Sequence, residues 1–388
     1  MEFEFWWLLA FPLFFVLGWL AARIDIRQVV TESRALPNSY FRGVNFLLNE
    51  EPDKAIEAFL EVVRLEPETI DLHFALGGLF RRRGELDRAI RMHEHLLDRD
   101  GLAQEQRLRA MCELGQDYLK AGLLDRAETV FTQLLETSQQ ARARENLLEI
   151  YVQEKDWTKA IEAARVLEKS TSKPLNAEIA HFYCERALLE IAKGNADEAR
   201  TLLETALQEN RQSVRANLML GDIHAAAGQH EAAITYWRLI EAQSASHMAL
   251  VVDRVLSSYR QLNRLEEGVQ WLRVLQARQP SQDLFNTLYL VVSETQGAQV
   301  ANQLAREELR RKPSLRTLDR LLETQLINAS EQDREWLQVE KSLVQAHSQR
   351  LMRYQCSSCG FKAQQFFWRC PACGRWDSFA AERRESDG

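Results

Sequence analysis

The chain has 388 residues, 46% hydrophobic and 27% charged, with a formal net charge of −7. That length exceeds one ordinary domain, the balance is that of a folded chain, and the acidic surplus argues against a nucleic-acid binder. Only 8 prolines and 16 glycines interrupt it, so a nearly all-helical chain is expected.

The chain opens on an uncharged run, residues 5–22, rich in Phe, Trp and Leu. As a helix it would reach about 27 Å, close to the ~30 Å hydrocarbon core of a bilayer. Trp6, Trp7 and Trp19 sit near its ends, where indoles favour the interface, and Pro12 is tolerated in such a helix. Glu2 and Glu4 precede the run and no Lys or Arg does, which is unlike a cleaved signal peptide. Arg23, Arg27 and Arg34 follow it. The expectation is a single transmembrane anchor over 1–22, a juxtamembrane segment over 23–35, and the bulk of the chain on the cytoplasmic side. In a bacterial cell that membrane is the inner one.

From 36 to 313 runs a repeat with a period of about 34 residues. Leu76-Gly77, Leu114-Gly115 and Leu220-Gly221 recur at one position, followed at a fixed distance by Ala89, Ala127 and Ala233. Bulky residues come next, as at Phe131 and Trp237, and Pro67, Pro280 and Pro313 close units. This is the tetratricopeptide pattern of two antiparallel helices per unit, in which small residues let the helices cross closely. About eight units are expected, with a longer connection at 169–174, rich in Ser, Thr and Lys, as the candidate place for a bend. Gly84, Gly122 and Gly194 read as left-handed ends of first helices, and Asp87, Asp125 and Asp197 as caps of second helices. Such arrays present a concave face that binds proteins or peptides. Arg81, Arg82, Arg109, Lys120 and Arg142 count as inward-facing. They are read either as a solvated helical face or as a basic groove for an acidic partner segment.

Residues 314–350 read as two closing helices broken near Ser330. Cys112 and Cys184 fall inside predicted helices and read as core filling. The other four cysteines form two knuckles, Cys356/Cys359 and Cys370/Cys373, each followed by glycine, within a module over 351–379 and ahead of a polar tail over 380–388. Paired Cys-x-x-Cys knuckles let four thiolates converge on one ion, and a site of four sulfurs suits zinc or a single iron. Disulfides fit poorly with a cytoplasmic location. So small a module needs the metal to fold, and its aromatics exceed what it can bury alone.

No phosphate-binding loop, nucleophile elbow or zinc-protease motif occurs, and the histidines are scattered, so no catalytic residue is nominated and the chain is not expected to be an enzyme.

Anchor, tetratricopeptide array and cysteine knuckles stand together here as in one family. The chain resembles the lipopolysaccharide assembly protein B family of Gram-negative bacteria over essentially its whole length. The most specific part is Tyr354, Cys356, Cys359, Gly360 and Phe361, then Trp368, Cys370, Pro371, Cys373 and Trp376. The resemblance implies an all-α fold. A tetratricopeptide solenoid carries an N-terminal transmembrane helix and a small C-terminal rubredoxin-type metal knuckle module with four cysteine ligands. It implies iron at Cys356, Cys359, Cys370 and Cys373, with zinc as the alternative. It also implies an inner-membrane adaptor that regulates lipopolysaccharide synthesis and supports lipopolysaccharide assembly. The implied partners are the membrane-bound AAA+ metalloprotease, the committed deacetylase that this protease degrades, and other envelope-assembly proteins. A second copy of the chain stays open as a partner, and nucleic acid is not expected. The alternative function is a redox module that passes electrons through the four-cysteine site.

Overall fold

The computed structural model describes residues 15–16, 19, 38–65 and 69–385. The predicted anchor and juxtamembrane segment lie outside the described residues except for Phe15, Val16 and Trp19, as does Pro67. Among the described residues no helix is long and apolar enough to cross a membrane.

The helices succeed one another in pairs. α1 (Asn38–Leu48) goes with α2 (Pro52–Leu65), α3 (Ile70–Arg83) with α4 (Leu86–Leu97), and α5 (Gln104–Lys120) with α6 (Leu124–Gln133). Then come α7 (Gln140–Glu154) and α8 (Trp157–Thr171), α9 (Asn176–Lys193) with α10 (Ala196–Glu209), and α11 (Val214–Ala226) with α12 (His230–Gln243). A 3-10 turn at Ala245–Leu250 leads into α13 (Val252–Gln261) and α14 (Leu265–Arg278), followed by α15 (Gln282–Gln296) with α16 (Ala298–Arg311) and α17 (Leu315–Asn328) with α18 (Glu331–Leu351). The chain divides into two compact units between Glu154 and Lys155, so α1–α7 belong to one and α8–α18 to the other.

Small residues mark the crossings within pairs. Ala55, Ala89, Ala127, Ala199 and Ala233 are fully buried. The turns follow a common design. Gly84 has φ 79°, its N–H bonds to Arg81 O at 3.1 Å, and Glu85 N bonds to Phe80 O at 2.9 Å. This left-handed closure satisfies two carbonyls at the end of α3.

Three expectations need correction. Asp87, Asp125 and Asp197 are not caps: each lies inside the first turn of its helix, while Glu85, Leu123 and Asn195 occupy the cap positions without a side-chain cap bond. The aspartates therefore act on the positive end of the helix dipole. The stretch 169–174 is not a long connection. α8 runs through Thr171, the hydroxyls of Ser170 and Thr171 donate back to Leu167 O at 3.0 and 2.8 Å, and Ser172 ends the helix at φ 55°. Residues 380–385 are not a free tail, because backbone pairing joins Arg384–Glu385 to the metal module.

Candidate metal centre

The module is built on a three-stranded antiparallel sheet in the order β2-β1-β3, with β1 at Met352–Gln355, β2 at Lys362–Ala363 and β3 at Arg384–Glu385. β1 delivers the chain directly into the first knuckle, and a bridge between Cys356 and Phe379 ties that knuckle to the end of the module.

The two knuckles repeat one backbone pattern. Gly360 N bonds to Cys356 O at 3.0 Å and Cys356 N to Phe361 O at 2.9 Å. Gly374 N bonds to Cys370 O at 2.8 Å and Cys370 N to Arg375 O at 2.9 Å. Both turns close through a glycine at positive φ, 77° at Gly360 and 70° at Gly374. There a side chain would strain the backbone.

The four sulfurs lie within 4.8 Å of one another. Cys356 Sγ stands 3.8 Å from Cys373 Sγ, and Cys359 Sγ stands 3.7 Å from Cys370 Sγ. A disulfide would need about 2.05 Å. Four sulfurs at ~2.3 Å around a tetrahedral ion stand about 3.8 Å apart, so these residues fit one zinc or iron ion. Cys356 and Cys370 are buried, while Cys359 and Cys373 form an exposed rim. Burial opposes ionisation of Cys356, but bonds from Ser378 and the knuckle backbone outweigh it and bring the thiol down to about 6. The Phe361 amide favours the Cys359 thiolate, yet burial and three neighbouring sulfurs prevail and push that thiol up to about 12. Four sulfurs this close ionise together only around a cation, which is the requirement that a metal meets.

The module is seated on first helices of the second compact unit. Trp376 stacks on His181 of α9 at 4.6 Å between centroids, and the His181 Nε2 position bonds Asp377 Oδ2 at 2.7 Å. Trp368 stacks on His247 of the 3-10 turn at 5.7 Å, with Phe366 edge-on to the same imidazole at 5.8 Å. The Arg215 guanidinium of α11 lies 5.8 Å from both the Trp368 and Trp376 rings, and Glu185 holds it at 2.8 Å. Further along, Asp283 of α15 receives Arg383 Nη2 at 2.7 Å and the Arg383 amide at 3.2 Å, and it also pairs with Arg316. Burial raises the Asp283 carboxyl, but Arg316 and Arg383 outweigh it and hold the carboxyl below its ordinary range.

The predicted basic residues are placed differently. Arg81 donates to Glu113 at 2.6 Å and to Asp117 at 2.8 Å. Arg142 pairs with Glu113 at 3.2 Å, Arg109 with Asp71 at 3.1 Å, and Lys120 with Glu149 at 3.9 Å. Arg82 is exposed. Four of the five therefore belong to a charge-balanced ladder within the first unit and do not form an open basic groove.

His181, Arg215, His247 and Asp283 were not singled out from sequence, although a signal was present. Arg215 follows His181 by 34 residues, one repeat period, and Asp283 follows Arg215 by twice that. Polar residues at one register position of successive repeats fall on one line of the array.

A family profile described as a rubredoxin metal binding domain matches residues 354–381, and the tetratricopeptide repeat profile matches 42–92, 112–174 and 184–247. The chain is 34% identical over 373 residues to lipopolysaccharide assembly protein B of Escherichia coli (strain K12), across 95% of this chain and 96% of that one. It is 29% identical over 383 residues to the protein of the same name from Haemophilus influenzae, again across 95% and 96%.

Proposed function

Because the chain belongs to the lipopolysaccharide assembly protein B family, we propose that it is an inner-membrane adaptor serving lipopolysaccharide assembly. In this reading it restrains lipopolysaccharide synthesis by presenting the committed deacetylase to the membrane-bound AAA+ metalloprotease. The run at 5–22, flanked by acidic residues before and arginines after, supports a single-pass anchor with the repeats on the cytoplasmic side. There the thiolates of a metal site stay reduced.

The observation that carries the adaptor reading is the seat of the metal module on His181, Arg215, His247 and Asp283. A closed set of four thiolates leaves an ion no open position for substrate, so the metal serves to shape a surface. That surface joins the module to several first helices of the array, the face with which repeat arrays bind other proteins.

Cells depleted of the chain test the reading directly. The half-life of the deacetylase should lengthen several-fold, and the wild-type chain should restore it where Cys370→Ser does not. An unchanged half-life on depletion would remove the adaptor role. The exposed rim of Cys359 and Cys373 favours one second reading, electron transfer through a bound iron. A purified protein without a visible iron–thiolate absorption band would dispose of it.

A further inference from the structure

Behind the metal module the second compact unit holds a polar cleft of about 380 Å³, within the range of small-ligand sites. Arg316 and Arg320, one helical turn apart on α17, share its lining with Arg383 from the edge of the module and with Ser348 of α18. Sequence alone did not connect these segments.

Three guanidiniums but a single carboxylate, Asp319, line the cleft. Asp283 serves both Arg316 and Arg383. Glu323 serves both Arg320, at 2.6 Å, and Lys341, at 3.7 Å. With Asp319, and with Asp253 which also acts on Arg383, four carboxylates balance these cations, and only Asp319 among them lines the cleft. Burial raises the Asp319 carboxyl against the pull of Arg320 and Lys341.

Hydrogen-bonding capacity is also left over. Arg383 Nε is buried without a partner among the described residues, and so is Asp319 Oδ1. Ser348, only 7% exposed, adds a hydroxyl to the wall. The spare Arg383 N–H together with an unmet carboxylate acceptor, in a cleft lined by three guanidiniums, calls for a ligand that is anionic and also carries an O–H. Guanidinium forks match phosphate oxygens in geometry, and a phosphomonoester with a neighbouring hydroxyl has both features.

We propose that this cleft, walled by Arg316, Arg320, Asp319, Ser348 and Arg383, is a binding site for a phosphomonoester group. The site exists only while the metal module is docked, because Arg383 reaches the cleft from the module and is held there by Asp283.

The test is calorimetric titration of the full metal-loaded chain in detergent with inorganic phosphate and with glycerol 3-phosphate, and flotation with phosphatidylcholine vesicles with and without phosphatidic acid. Gln345 and Gln364 are exposed members of the lining. Gln345→Glu and Gln364→Glu each put a negative charge at the cleft without removing an ion pair. Each should weaken binding about tenfold or more, with the melting temperature unchanged. Capture of glycerol 3-phosphate in solution supports the site with a soluble ligand. Capture only of vesicles bearing phosphatidic acid, lost in both variants, supports it with a lipid headgroup as the source. Failure of every phosphate probe to bind, or equal binding by both variants and the wild type, overturns the proposal.

Discussion

At the scale of single residues, four repeats place a large ring against the glycine at the helix crossing. Gly43 faces Phe59, Gly77 faces His93, Gly115 faces Phe131 and Gly221 faces Trp237. A Cβ at Gly115 would stand 2.8 Å from Phe131, and one at Gly221 would fall inside the Trp237 indole. Trp237 is 2% exposed and its Nε1 donates to Leu218 O at 3.1 Å, so it has little room to yield. Replacing glycine with alanine inside a helix gains about 0.5–1 kcal/mol through backbone entropy, whereas overpacking costs about 1–3 kcal/mol. Gly221→Ala should therefore be a net loss. Gly78→Ala, beside the crossing glycine but with nothing within 4 Å of its Cβ, should be a net gain. Urea midpoints of the two variants should move in opposite directions, and a shared direction would refute the packing argument. His93 is the polar exception among the rings. Its Nδ1 meets Asp117 at 2.5 Å, and Asp117 also receives Arg81, so this crossing is tied into the ion-pair ladder.

At the scale of elements, the metal module and the helices beneath it depend on one another. Phe366, Trp368 and Trp376 spend much of their surface on His181, His247 and Arg215. Stacked aromatic pairs contribute about 0.5–1.5 kcal/mol each beyond area burial. The module itself needs metal, since structural four-ligand sites provide on the order of 10 kcal/mol of apparent binding energy. Cys370→Ser should lose the ion, keep nearly all helical circular dichroism because repeats are held by their neighbours, and expose the module's tryptophans to quenchers. Quenching identical to the wild type in the metal-free variant would show that docking does not need the ion. Docking should also respond to pH. Burial lowers the His247 pKa below its ordinary 6.5, although Asp377 opposes the shift. The undocked imidazole therefore takes up a proton more readily than the docked one. The stabilisation is complete above about pH 6.5 and falls as the pH drops through that value toward the docked pKa. Asp283 works in the same direction at lower pH, since its depressed carboxyl loses its contribution only below about pH 4. Module release, followed by tryptophan emission, should begin as the pH falls below about 6.5 and should shift in His247→Gln. An unshifted onset in that variant would assign the transition to another group.

At the scale of the whole molecule, the same register position of the repeats is filled differently in the two units. In the second unit it holds His181, Arg215 and Asp283 under the module. In the first unit the corresponding line includes Arg109, paired to Asp71, and Arg142, paired to Glu113. Topology is tested at this scale too. Protease added outside intact spheroplasts should leave the repeats uncut, whereas disrupted membranes should expose them. Digestion in intact spheroplasts would place the array on the opposite side of the membrane.

Local rules of the chain itself determined the repeat period, the helix pairs, the small residues at crossings and the two knuckles. A 34-residue recurrence and a pair of Cys-x-x-Cys turns are short-range patterns, each satisfied by neighbours within one unit or one loop. Tertiary structure alone decided what the surface charges do. Arg81 and Glu113 are far apart in sequence, and only the stacking of α3 beside α5 turns a row of arginines into an ion-pair ladder. The same holds for Asp283, whose two guanidiniums come from Arg316 and from Arg383, and for residues 380–385, whose polar composition gave no hint of β3. Backbone pairing and buried charge depend on which segments the fold brings together, and a residue carries no mark of a partner a hundred positions away.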